Sequence, residues 1–132
     1  MSRLVIGLGF REQATAQSIG EVLARAVEQA AMPEAATMLA VVEDKTGHPG
    51  LCAAVAASRY PIRTVAAEAM RDTDTSVTTR SERVIRQRGV GSVCEATALA
   101  AAGPNGRLVV TRMVSADHTA TAAAAVTEDS AS

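Results

Sequence analysis

Arg3-Leu4-Val5-Ile6-Gly7-Leu8-Gly9-Phe10-Arg11-Glu12 decides the fold. Leu4, Val5, Ile6 and Leu8 form a short apolar run closed by glycine, which reads as a buried strand over 3–8. The spacing that follows predicts an amphipathic helix over 12–31. Ile19, Val22, Leu23, Ala26, Val27 and Ala30 recur at i, i+3, i+4, while Glu21, Arg25, Glu28 and Gln29 take the other face. Pro33 closes it. A strand feeding a helix through a glycine turn is the opening unit of an α/β domain.

The rest of the chain repeats the alternation. Strands are expected over 37–42, 61–65, 107–111 and 119–125, the last the weakest because alanine is a poor strand former. Helices are expected over 50–58 and 92–102, with one turn near 66–71 and another helix over 81–87. Ser92-x-x-Glu95 matches a capping box, and Gly103-Pro104 ends that helix. Residues 113–118 are too few for a helical crossover, so the last two strands are read as antiparallel. The expected architecture is a three-layer α/β/α sandwich around a mostly parallel sheet of about five strands, with a mixed C-terminal edge. One domain spans 1–126, and 127–132 is read as a flexible tail.

Composition narrows the function classes. The chain has 132 residues, 13 basic and 14 acidic, for a net charge of −1. Nucleic-acid binders carry a basic excess, and single-strand binders also need stacking aromatics. Here there is no Trp, one Tyr (Tyr60) and one Phe (Phe10), so nucleic acid is excluded as a partner. Alanine alone supplies 28 residues. No apolar run reaches the ~20 residues of a membrane helix, and the N-terminus lacks the pattern of a secretory signal. Cys52 and Cys94 show no metal-type spacing and are read as small buried residues. A cytoplasmic protein with no metal and no cofactor is expected.

Several motifs carry possible chemistry. Gly7-Leu8-Gly9 starts like a dinucleotide fingerprint, but Glu12 replaces its third glycine. What remains is a turn where backbone can approach a ligand, beside a helix N-terminus and the Arg11 charge. The alternative is a plain strand-to-helix turn. Gly89-Val90-Gly91-Ser92 repeats the arrangement before the last helix, where Ser92 and Glu95 also serve as an ordinary cap. Glu43-Asp44-Lys45 ends strand 2, and in open α/β sheets ligands bind beyond strand C-termini. Lys45 is the sole lysine. An anion there meets Arg11 and Lys45 together, unless both are simply solvated loop charges. Arg80, Arg83, Arg86 and Arg88 form a basic stretch, read either as solvated surface or as steering for a polyanion. His48 and His118 have no metal-type partner at short spacing, and no nucleophile elbow or P-loop is present.

Gly89-Val90-Gly91-Ser92-Val93-Cys94-Glu95-Ala96 continuing to Gly103, the opening Gly7-Leu8-Gly9-Phe10-Arg11, and Asp44-Lys45 followed by Gly50-Leu51 together resemble the CobE family. That family is similar to the C-terminal domain of CbiG, and both serve cobalamin biosynthesis. The resemblance runs over 3–126. Arg112 and Ser115-Ala116-Asp117 also look like standalone members. Two departures stand out: relatives often have Cys at the place of Phe10, and a glycine where Glu12-Gln13-Ala14 stands. The resemblance implies either of two activities. CbiG-like proteins open a ring A lactone of a precorrin-5-type intermediate and release a two-carbon fragment. Freestanding members belong to the route in which another enzyme releases that fragment, and bind a corrinoid without transforming it.

The expected function is therefore an accessory protein of corrin-ring synthesis that binds or hands on a corrinoid or precorrin intermediate. The expected ligand-binding residues are Gly7, Gly9, Arg11, Asp44, Lys45, Gly89, Gly91, Ser92, Glu95, Arg112 and Ser115. A lactone hydrolase is the rival, with Asp44, Glu43 or His118 as acid or base; the absent cysteine weakens it. A third reading is a non-catalytic scaffold docked on a pathway methyltransferase, which requires an exposed apolar patch.

Overall fold

The computed structural model describes residues 2–32, 35–66, 93–103 and 105–128. Its elements are β1 (Ser2–Phe10), α1 (Ala16–Ala30), β2 (Ala36–Val42), a 3-10 turn (Glu43–Lys45), α2 (Pro49–Ser58), β3 (Ile62–Val65), α3 (Val93–Ala102), β4 (Arg107–Val114) and β5 (Ala120–Glu128). The five strands lie in the order β3-β2-β1-β5-β4. β1, β2 and β3 pair in parallel, whereas β5 runs antiparallel to both β1 and β4. The α/β architecture and the mixed C-terminal edge are as expected. The expected turn near 66–71, apart from its first residue, and the expected helix over 81–87 lie outside the described residues.

Side chains alternate across the sheet with period 2. Leu4, Ile6 and Leu8 of β1 join Leu39, Val41, Ala122 and Ala124 on one face, against Ile19, Val22, Leu23 and Ala26 of α1 and Leu51 of α2. Val5, Ala40, Val42 and Val65 face the other way, onto Ala96 and Ala101 of α3. Ala98 and Leu99 of α3 cover Ala125 of β5. The alanine content now has a cause. Small side chains on both α3 and β5 let helix backbone and sheet come close together.

Four sequence expectations need correction. The long helix begins at Ala16, not at Glu12, because Thr15 caps it: its hydroxyl accepts from the Ser18 N–H at 3.1 Å. β5 runs on to Glu128, pairing Thr127 and Glu128 with Arg3 and Ser2, so the strand enters the expected tail. β4 extends to Val114 through two register shifts. Cys52 is exposed, because the neighbouring Leu51 and Ala54 take the inward positions of α2; Cys94 is buried as expected.

This topology sets up one edge. The C-terminal ends of β1, β2, β3 and β4 and the start of β5 all lie there. α1 and α2 begin there too, since each follows β1 or β2 through a short loop. The first residues of α3 arrive from the other face: a Cβ built on Gly9 would sit 3.8 Å from the Cys94 amide nitrogen.

Candidate functional site

The site is the strand-end edge where β1 and β2 finish. Phe10 is the last residue of β1, and Arg11 follows it, exposed. The Arg11 N–H donates to the Thr119 carbonyl at 2.8 Å, tying the end of β1 to the loop between β4 and β5. One strand away, β2 passes into the 3-10 turn that carries Glu43, Asp44 and Lys45. Glu43 is exposed and Lys45 half-buried; the Asp44 side chain lies outside the described set. The Lys45 ammonium stands 5.9 Å from the centre of the Phe10 ring.

His48 builds the floor of this edge. It is the N-cap of α2, with Pro49 at the first helical position, where a missing N–H costs nothing. Its Nδ1 accepts from the Gly50 and Leu51 N–H groups at 3.1 and 3.3 Å. That use of Nδ1 leaves Nε2 as the protonated nitrogen, which donates to the Glu12 carbonyl at 2.7 Å. The imidazole meets the Phe10 ring at 4.8 Å between centres, tilted by 59°. One histidine thus ties the loop after β1 to the start of α2. Sequence reasoning missed this role, although His48-Pro49 ahead of a helix was the available signal.

The loop after β4 forms a second polar group at the same edge. Ser115 is buried, and its hydroxyl donates to Asp117 Oδ1 at 2.6 Å while accepting from the Thr119 and Ala120 N–H groups. Thr119 donates to the same carboxylate oxygen from its hydroxyl at 2.7 Å and from its N–H at 3.1 Å. Ser18 of α1 donates to the other oxygen. The Ser115 hydroxyl foremost, then Ser18 and Thr119, hold the Asp117 carboxyl well below the usual carboxylate range. Two more contacts fasten the loop to α1: the Ala116 N–H to Glu21 at 3.0 Å, and Arg25 to the Val114 carbonyl at 3.2 Å. His118 is exposed in this loop in the left-handed conformation (φ 62°).

The structure sorts the expected site residues. Gly9, Arg11, Lys45 and Ser115 are brought to the one edge, along with the alternative acid–base candidates Glu43 and His118 and the backbone of Asp44. Gly7 is not open to a ligand. A Cβ there would lie 2.1 Å from the Cys94 carbonyl oxygen and 2.6 Å from the Ala98 nitrogen, so this glycine exists to admit α3. Glu95 is fully buried, and its carboxylate accepts from the Arg112 N–H at 3.0 Å. Register shifts free that N–H from the β4–β5 ladder, and Glu95 satisfies it. Glu95 is therefore a partner for the bulge and faces away from solvent. Arg112 has an exposed side chain on the outermost strand β4, separated from β1 by β5. Gly89, Gly91, Ser92 and the arginines at 80, 83, 86 and 88 lie outside the described residues. Among the described residues, no three His, Cys, Asp or Glu side chains gather as a metal site, and no helix is long and apolar enough to cross a membrane.

Away from the edge, α1 and α2 leave between them an apolar groove of about 630 Å³, lined by Gly20, Leu23, Val27, Ala54, Ala57 and Tyr60 among others. Sequence reasoning did not locate this groove, since it depends on how two separate helices pack.

Comparison with known proteins agrees with this fold. No curated protein matches the chain. The crystal structure of CobE, a protein from the cobalamin (vitamin B12) biosynthetic pathway, is similar with a TM-score of 0.82 and 26% identity, over 96% of this chain and 92% of that one. The structure of cobalamin biosynthesis protein chiG from Agrobacterium tumefaciens str. C58 is similar with a TM-score of 0.70 and 32% identity, over 96% of this chain and 99% of that one. The family model described as cobalamin synthesis G C-terminus matches residues 4–125. With nearly the whole sheet and its helices inside that match, the chain belongs to the cobalamin synthesis G C-terminus family, and its pathway is cobalamin biosynthesis.

Proposed function

We propose that the protein binds a carboxylate-bearing corrinoid or precorrin intermediate across its strand-end edge and hands it on without transforming it. The observation that carries this reading is the placement of two cations, Arg11 and Lys45, at the ends of adjacent parallel strands. The peripheral acetate and propionate groups of a corrin-type ring are matched to such donors. The α1, α2 and α3 N-termini at the same edge add partial positive charge.

Titration with dicyanocobyrinic acid, followed by ultraviolet–visible absorbance and mass analysis of the recovered pigment, tests the reading. A saturable spectral shift with unchanged pigment mass is expected, weakened in both Arg11→Ala and Lys45→Ala. Binding by both variants as tight as wild type refutes the site. A recovered mass altered by water or by loss of a two-carbon fragment moves the assignment to the hydrolase.

A second reading draws on the α1–α2 groove. Its apolar lining suits the scaffold that docks on a pathway methyltransferase. It predicts complex formation without any corrinoid, abolished by Gly20→Glu and indifferent to Lys45→Ala.

A further inference from the structure

We propose that Phe10 is a positioning residue: its ring holds the Lys45 ammonium over the strand-end edge until a ligand carboxylate takes it. The inference rests on the corrinoid reading above and adds how the receiving cation is kept in place.

Three contacts in series support it. His48 cannot turn, because both ring nitrogens are occupied, by the α2 N–H groups on one side and the Glu12 carbonyl on the other. The fixed imidazole abuts the Phe10 ring and sets its orientation. The oriented ring then presents its electron-rich face to the Lys45 ammonium at 5.9 Å, within the roughly 6 Å reach of a cation–π contact. Phe10 ends β1 and Lys45 lies in the 3-10 turn that follows the adjacent parallel strand β2, so the sheet brings the two to one edge.

The strength of this hold suits a transfer. Among the described residues no carboxylate forms an ion pair with Lys45. A lysine already paired with a carboxylate would have to break a charge-assisted hydrogen bond before taking another. A lysine on an aromatic face gives up a weaker contact and gains a stronger one. The ring also limits where the flexible four-carbon stem can carry the charge.

Lys45 is the sole lysine, which permits a direct test. Reductive ¹³C-methylation keeps its charge and yields one side-chain dimethylamine signal, separate from that of the N-terminal amine. In the intact protein that signal is expected upfield of free dimethyllysine through the Phe10 ring current. Phe10→Leu removes the displacement and Phe10→Tyr keeps it. Dicyanocobyrinic acid shifts the signal away from its ring-displaced position, and the heptamethyl ester, which lacks carboxylates, does not.

Affinity supplies the second readout. Because the contact exists only in the ligand-free protein, its loss in Phe10→Leu is expected to tighten binding of dicyanocobyrinic acid by about two- to five-fold, the size of an exposed cation–π contact. Phe10→Tyr returns the affinity to that of the wild type. In a Lys45→Met background, Phe10→Leu has no further effect, because Phe10 acts through the lysine. An unshifted Lys45 signal in the intact protein overturns the proposal. So does a loss of affinity from Phe10→Leu, or an equal change with and without Lys45. If the intact protein binds no corrinoid, the functional reading and the transfer both fall, and the ligand-free signal reports separately on the Phe10–Lys45 contact.

Discussion

Replacing Gly7 by alanine adds one methyl group to the middle of β1, where the backbone of α3 already lies against the strand. The new Cβ would stand 2.1 Å from the Cys94 carbonyl oxygen and 2.6 Å from the Ala98 nitrogen, whereas ordinary contact begins near 3.4 Å. Neither obstacle is the end of a flexible side chain, so α3 must withdraw by about 1 Å. Gaps of that size forfeit a quarter to a half of each dispersion contact, at about 0.1–0.2 kcal/mol per atom pair. The contacts of Ala96, Ala98 and Leu99 with the sheet are all affected. Overpacking of this kind costs about 1–3 kcal/mol, and backbone on both sides puts it near 3 kcal/mol. For a chain of this size the melting temperature falls by roughly 10 °C. Gly20→Ala is the matched control. It makes the same chemical change within α1, where nothing lies within 4 Å of the added Cβ. There alanine stabilises by about 0.5–1 kcal/mol through helix propensity. Far-ultraviolet circular dichroism melts of both variants read the difference. A Gly7→Ala variant that melts with wild type, its helix content intact, refutes the close packing of α3 on β1.

Three further outcomes follow from the polar contacts. Asp117 has its carboxyl pKa depressed in the fold, so it contributes stability that is complete above the unfolded carboxylate pKa, about 3.9, and lost as pH falls toward the folded value. Melts from pH 5 to pH 2 should therefore show a steeper loss in wild type than in Asp117→Asn; parallel curves count against the Ser115–Ser18–Thr119 cage. Glu95→Ala removes the acceptor of the part-buried Arg112 N–H and should cost about 1–3 kcal/mol in urea denaturation, with Glu95→Gln losing less because it keeps an acceptor. His48→Ala removes the cap of α2 and should cost about 1–2 kcal/mol, partly recovered by Asn, which also accepts at an N-cap position; an equal loss in both variants argues against the cap.

Much of the fold was legible because apolar spacing records which face is buried. Ile19, Val22, Leu23 and Ala26 announce α1, and Leu4 to Leu8 announce β1. β5 was the weakest strand on sequence, since a run of alanine favours helix. It is a strand because β1 and β4 supply ladder partners on both sides, and covering helices leave room only for methyl groups. Tertiary context overrides propensity there. The gathering of Arg11 and Lys45 was legible from strand ends alone. Glu95 was not: local spacing reads it as a cap, and its partner Arg112 comes from another element, 17 residues on. Gly7 misled for a related reason. A glycine that admits a helix and a glycine that admits a ligand look the same in sequence. The Phe10–His48 contact escaped because neither residue carries a spacing signal; two loops bring them together.

The place of β5 beside β1 also bears on synthesis. Phe10 pairs with Ala120, so β1 has one edge without its partner until about 110 further residues have been made. At about 5–20 residues per second, that interval is on the order of 5–20 s. Once β2 and β3 have been made, the nascent β1–β2–β3 sheet presents an open apolar edge for the rest of that interval, the kind of surface that chaperones cover and that recruits strands from other chains. Expression yield should therefore respond to chaperone supply and to growth temperature more than the stability of the finished fold suggests.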